Sequence, residues 1–179
     1  MGRLTLAAAA SVAGILSGLA AGILGRAAMR LVALIRGDAP GFSITGTIGI
    51  LIVFFAMGCA LAFVFSVLAA SHPTRLRPGL WSLAGVALFA CVLLLTPLRQ
   101  ELGGRPEFIA LFVPVGLLLG WASARLTLVI SRFLPERAGA GRALYGLLAA
   151  PGVLATLGLP VLLVFGVLQS IGVIPIPNQ

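Results

Sequence analysis

The chain has 179 residues, 60% of them hydrophobic and only 9% charged, with a mean hydropathy of +1.18. Soluble domains carry about 25% charged residues, so this chain lacks the polar surface to coat a water-soluble globule, and several of its apolar runs approach or exceed the ~18–20 residues that cross a bilayer. The net charge of +8 rests entirely on arginines that flank those runs, which points to anionic lipid head groups as partners and away from nucleic acid.

Arginine-only basic usage with abundant Ala, Leu and Gly fits a GC-rich bacterial genome, and so the bacterial cytoplasmic membrane. The expected class is all-α: a single polytopic membrane helix bundle over residues 1–179, with about five transmembrane helices at 4–24, 47–68, 80–98, 108–130 and 143–168.

The first predicted span, Leu4 to Leu24, carries no charge and places Gly14, Gly18 and Gly22 four residues apart. It is longer than the apolar core of a signal peptide and continues into Arg26 and Arg30, so it reads as a retained helix. In lipid the backbone has no partner outside the helix, so helix is enforced despite the glycines. Four residues turn a helix by about 400°, so the glycines form a slowly drifting stripe that lets another backbone approach closely. The stripe serves either packing within the bundle or a dimer face. Leu31 to Ile35 is expected to be a short interfacial helical extension, followed by the polar, glycine-rich return Arg36-Gly37-Asp38-Ala39-Pro40-Gly41 and Phe42 to Thr47.

The second span, about 47–68, is plain and uncharged, with Thr45 or Thr47 as its cap and Ser43 tying down the turn before it. Cys59 and Cys91 fall inside apolar runs and read as small buried residues. The next loop holds the single histidine, His72, beside Arg75 and Arg77, where a solvated surface role is the expectation. Pro78 starts the third span, and Trp81 near its beginning suits an interface.

The fourth span contains Pro114, then Gly116, Gly120, Ala124 and Arg125. The fifth contains Pro151-Gly152 and Gly158-Leu159-Pro160. Each proline removes a backbone donor and crowds the preceding turn, so two kinks are expected. Spans one and four also look alike when Ala21 is set on Gly116, Gly25 on Gly120, Arg30 on Arg125, Leu31 on Leu126 and Ile35 on Ile130. Such a likeness, entered from opposite sides of the membrane, is the pattern of inverted repeats in secondary transporters.

The arginine count is six on the side of the N-terminus and five on the other. This puts the N-terminus in the cytoplasm by the positive-inside rule.

All four carboxylates, Asp38, Glu101, Glu107 and Glu136, fall in predicted loops. No span carries the acidic chain of a proton pump, and no redox, zinc or phosphate-loop motif is present. The expectation is a protein that is not an enzyme and holds no cofactor or metal. Arg26, Arg30, Asp38, Ser43, Thr45, Thr47 and Arg125 form the candidate polar or anion site. Within it, Arg30 either sits at the interface and reaches lipid phosphate or faces the bundle, where it would organise the 42–47 turn through Asp38 and the nearby hydroxyls, because a buried arginine needs acceptors. Gly14, Gly18, Gly22, Gly116 and Gly120 are the candidate packing residues.

The leading functional expectation is a small transporter or channel-like subunit for an anionic solute or lipid. The alternative is a non-catalytic membrane scaffold or partner subunit, joined through small-residue faces to a second copy or another membrane protein. A protein that simply grips lipid phosphates at both interfaces is a third class.

Overall fold

A computed structural model describes residues 2–35, 37, 44–71, 78–95, 106–134 and 140–170. Five helices account for nearly all of them: α1 (Arg3–Ile35), α2 (Ile44–Ser71), α3 (Pro78–Leu95), α4 (Pro106–Phe133) and α5 (Ala140–Ser170). Helices α1, α2, α4 and α5 are long and apolar enough to cross a membrane, and α3 is a shorter apolar helix. The chain is thus an all-helical bundle of membrane-spanning type.

Several boundaries differ from the sequence expectation for one physical reason. Once a helix is nucleated, each further residue adds a hydrogen bond, so helices run past the apolar span. Leu31 to Ile35 is not a separate piece but the last turns of a 33-residue α1, about 50 Å long at 1.5 Å per residue. Gly37 ends this helix. It adopts φ +72°, a left-handed conformation that suits a residue without Cβ, and its amide donates to the Leu34 carbonyl at 3.1 Å. Helix α2 already begins at Ile44, so Thr45 and Thr47 lie inside its first turn rather than at the cap. Ser43 lies outside the described residues. Pro78 opens α3 as expected of a residue with no amide hydrogen to satisfy. Pro114, Pro151 and Pro160 all sit within helices that continue through them.

Helix α1 is the axis of the bundle. Ala8, Ala9, Ala10 and Ser11 are all completely buried. Successive residues point about 100° apart, so four in a row cover most of the circumference, and this stretch is enclosed on every side by α2, α4 and α5. Only small side chains permit that enclosure.

Helices successive in the chain alternate in direction. Gly14, Gly18 and Gly22 of α1 face Cys59, Phe55 and Leu51 of α2, so four steps up one helix are four steps back along the other. On α2 and α3, Phe65 meets Trp81 at 5.4 Å and Phe54 meets Phe89 at 5.9 Å, again in opposite order. Gly116 lies against Val86, and Gly120 against Trp81, so α3 and α4 are antiparallel as well. Helix α5 runs with α1: Gly152 adjoins Ser11 and Phe63, whereas Leu159 joins the cluster of Phe54, Phe112 and Val92 further along.

The core of that cluster is an aromatic stack, Phe54 on Phe89 and Phe89 on Phe112, the latter pair at 5.1 Å with planes 4° apart. Outside it, Leu16, Ile23, Ile52, Leu147, Leu154 and Val161 point away from the protein. On a soluble protein so large an apolar surface would drive aggregation; here it is the surface that lipid solvates.

Candidate functional site

Two interhelical seams are built alike. In the first, Gly58 of α2 lies between Gly14 and Gly18 of α1. A Cβ on Gly14 would sit 2.5 Å from the Cys59 Cα, and one on Gly18 would sit 2.6 Å from the Phe54 carbonyl oxygen. In the second, Gly85 of α3 lies between Gly116 and Gly120 of α4, touching the backbone of both. Each seam is two glycines four apart receiving a third from an antiparallel neighbour. Apolar burial gives no net drive between helices in lipid, so close backbone packing of this kind supplies the attraction. All five candidate packing glycines face a neighbouring helix. Gly22 is the loosest on α1, since its nearest neighbour is the flexible Leu51 Cδ2 at 2.9 Å. The partners Gly58 and Gly85 carry no periodic signal of their own in the sequence.

The seams correct the expected repeat. Gly25 lies against the rings of Phe54 and Phe112, whereas Gly120 lies against the α3 backbone, so setting Gly25 on Gly120 pairs unlike environments. The shared geometry instead equates Gly14 with Gly116 and Gly18 with Gly120, and in that register Arg30 falls on Arg132. The partner of α1 is the helix after it and the partner of α4 is the helix before it. Helices α4 and α5, though consecutive, make no substantial contact among the described residues. A repeat of two helices in chain order is therefore not the basis of the likeness.

The candidate polar residues do not converge on one point. Arg30 and Arg125 are exposed, and Arg26 and Thr47 are half-buried. Continuing the α1–α2 register brings Thr47 level with Arg26. It also sets the start of α2 level with Met29, so Arg30 lies on the part of α1 that projects beyond α2. Arg125 belongs to the opposite end of the bundle, because α4 runs against α1, and it lies just past the level where α3 starts. Asp38 and Ser43 lie outside the described residues, as does the side chain of Thr45, so the expected organisation of the 42–47 turn by Arg30 falls outside them too.

What the interior does contain is hydroxyl groups that sequence reasoning passed over. Thr5, Ser11, Ser17, Ser66, Ser123, Thr127 and Ser131 are buried. Most spend their donor on their own helix: Ser17 on the Gly14 carbonyl, Ser66 on Phe63, Ser123 on Gly120, Thr127 on Ser123 and Ser131 on Leu128. This is how a hydroxyl is satisfied without water. The four-residue spacing of Ser123, Thr127 and Ser131 was the available signal.

Ser11 differs. Its Oγ donates to the Ala149 carbonyl of α5 at 3.2 Å and accepts from the Gly152 amide at 3.2 Å, spanning the turn that contains Pro151. Trp81, near the start of α3, is half-buried and edge-on to Phe65. Its enclosed indole N–H finds no acceptor among the described residues.

Comparison of the chain with family models, with characterised proteins and with solved structures found no match.

Proposed function

We propose that this chain is a non-catalytic, multi-pass membrane subunit that works as a scaffold, gripping anionic head groups with arginines at both faces of the bilayer. One observation carries the reading. Every described arginine, Arg3, Arg26, Arg30, Arg125 and Arg132, is at least partly exposed, and the described buried polar side chains are hydroxyls. A path for an anion through the bundle needs cationic or donor groups facing inward, whereas arginines on projecting helix ends suit lipid phosphate.

The proposal places the protein in the bacterial cytoplasmic membrane with five crossings. The N-terminus and the loop at His72 are then cytoplasmic and Gln179 is outside. Reporter fusions at His72 and Gln179 test this arrangement by reporting opposite sides.

The function is tested in proteoliposomes and by native mass spectrometry. The expected result is retention of anionic lipid, weakened by Arg30→Gln and Arg125→Gln, with no saturable anion flux. Saturable flux abolished by Arg26→Gln would overturn it in favour of transport. The transport reading keeps one specific support: the proline break in α5, at a point where this helix meets the bundle axis.

A further inference from the structure

Pro151 lies in the interior of α5, where it supplies no amide to the Leu147 carbonyl and its ring crowds the preceding turn. In hydrocarbon no water is present to satisfy backbone groups displaced by such a break, so neighbouring helices must do it. Here a single side chain from the bundle axis braces the turn that lacks the Pro151 amide. Ser11 is 0% exposed, and its Oγ is wedged between the Ala149 carbonyl and the Gly152 amide. The seat is shaped to the hydroxyl: a Cβ on Gly152 would lie 2.8 Å from Ser11 Oγ and 3.0 Å from the Phe63 ring.

Beyond this point Leu159 is buried and Leu163 packs on the same cluster, but Leu154, Leu157, Val161 and Val164 all face outward. The space around Gly158 is open, and Pro160 removes a second amide from the helix. Ser11 itself cannot yield easily, because α1 is clamped to α2 three residues further on at Gly14.

We infer that Ser11 is the pin of a hinge in α5: its hydroxyl braces the turn weakened by the missing Pro151 amide, and its release frees the segment beyond Gly152 to pivot against a fixed α1–α2 pair. This inference is independent of whether the protein transports anything.

The test is hydrogen exchange by mass spectrometry on full-length protein in nanodiscs. Ser11→Ala removes the pin and should speed exchange across residues 149–156 about tenfold, the loss expected for one buried hydrogen bond, while the α1–α2 seam stays protected. Pro151→Ala restores a donor to α5, so Ser11→Ala added to it should have little further effect. Equal acceleration with and without Pro151, acceleration throughout the bundle, or none at all, overturns the hinge and leaves Ser11 a packing residue.

If Pro151→Ala protein does not fold, Ser11→Cys takes its place. A thiol of similar shape bonds more weakly and should give intermediate exchange in the same segment; wild-type rates there count against the pin. Spin labels at Ile52→Cys and Val164→Cys, in a Cys91→Ser background, read the pivot directly. Their distance distribution should broaden on Ser11→Ala, and an unchanged width rejects the movement.

Discussion

Helix α1 is held to α2 and to α5 by opposite means. Toward α2 it presents no side chain at all where Gly14 and Gly18 meet Gly58 and Phe54, and backbone lies on backbone. Toward α5 it presents one hydroxyl to a turn broken by Pro151. Backbone contact has no rotamers to lose and no soft atom to move aside, so the first seam is stiff. The second depends on a hydrogen bond whose net worth is about 1 kcal/mol. One face of the same helix is thus built to stay and the other to let go: α1 meets α2 over a longer contact than it meets α5, and the chemistry of a few positions adds to that difference.

The stiff seam breaks with the largest effect. Gly14→Val and Gly85→Val drive side-chain atoms into a neighbouring backbone, and overpacking of that kind should cost upwards of about 3 kcal/mol. Both should appear as loss of monodisperse protein on size exclusion. Recovery of well-folded Gly14→Val protein with wild-type melting would show that the seam opens freely.

The glycines within the two seams are not equally crowded, which sharpens the comparison. A Cβ on Gly14 meets the Cys59 Cα at 2.5 Å, whereas one on Gly116 meets the Val86 Cα at 3.2 Å. Gly14→Ala should therefore lower the melting temperature in detergent clearly more than Gly116→Ala. Equal losses would mean that burial alone, not backbone approach, sets the cost.

Next in size comes the α5 contact. Ser11→Ala should cost about 1 kcal/mol through the loss of its buried bonds to Ala149 and Gly152, seen as a modest fall in melting temperature that is smaller once Pro151→Ala has restored the bond to the Leu147 carbonyl. Smallest is Gly49→Ala on the exposed, uncrowded side of α2, where an added Cβ meets nothing within 4 Å. Removing the backbone freedom of glycine there should stabilise by about 0.5–1 kcal/mol. A loss at Gly49 instead would reveal a partner surface on this face.

The helices and the glycine stripes were legible because they rest on local rules. A charge-free run of ~20 residues must be helical in lipid, and Gly14, Gly18 and Gly22 share a face by the geometry of one helix. The seam partners Gly58 and Gly85 were not legible, since one glycine in an apolar run has no periodicity. The contact at Ser11 could be read only in part. Pro151-Gly152 inside a span demands a hydroxyl from a neighbour, and Thr5, Ser11 and Ser17 are the α1 hydroxyls that could answer. Choosing among them requires the depth at which α5 meets α1. The expected arginine site suffered similarly: spacing joined Arg26, Arg30 and Arg125, but antiparallel packing sends Arg125 to the other end of the bundle.

The amino-acid sequence by itself determined that this protein lives in a membrane, that it is helical, where its helices run to within a few residues, and that one face of α1 admits another backbone. These follow from hydration and hydrogen bonding along the chain. The tertiary structure alone decided which helix takes that face, that α1 is the axis, that the described arginines are at least partly exposed, and that Ser11 rather than Thr5 or Ser17 meets the turn at Pro151. Register between helices depends on how side chains far apart in sequence interlock, and a run of alanine, leucine and glycine is compatible with many registers until packing selects one.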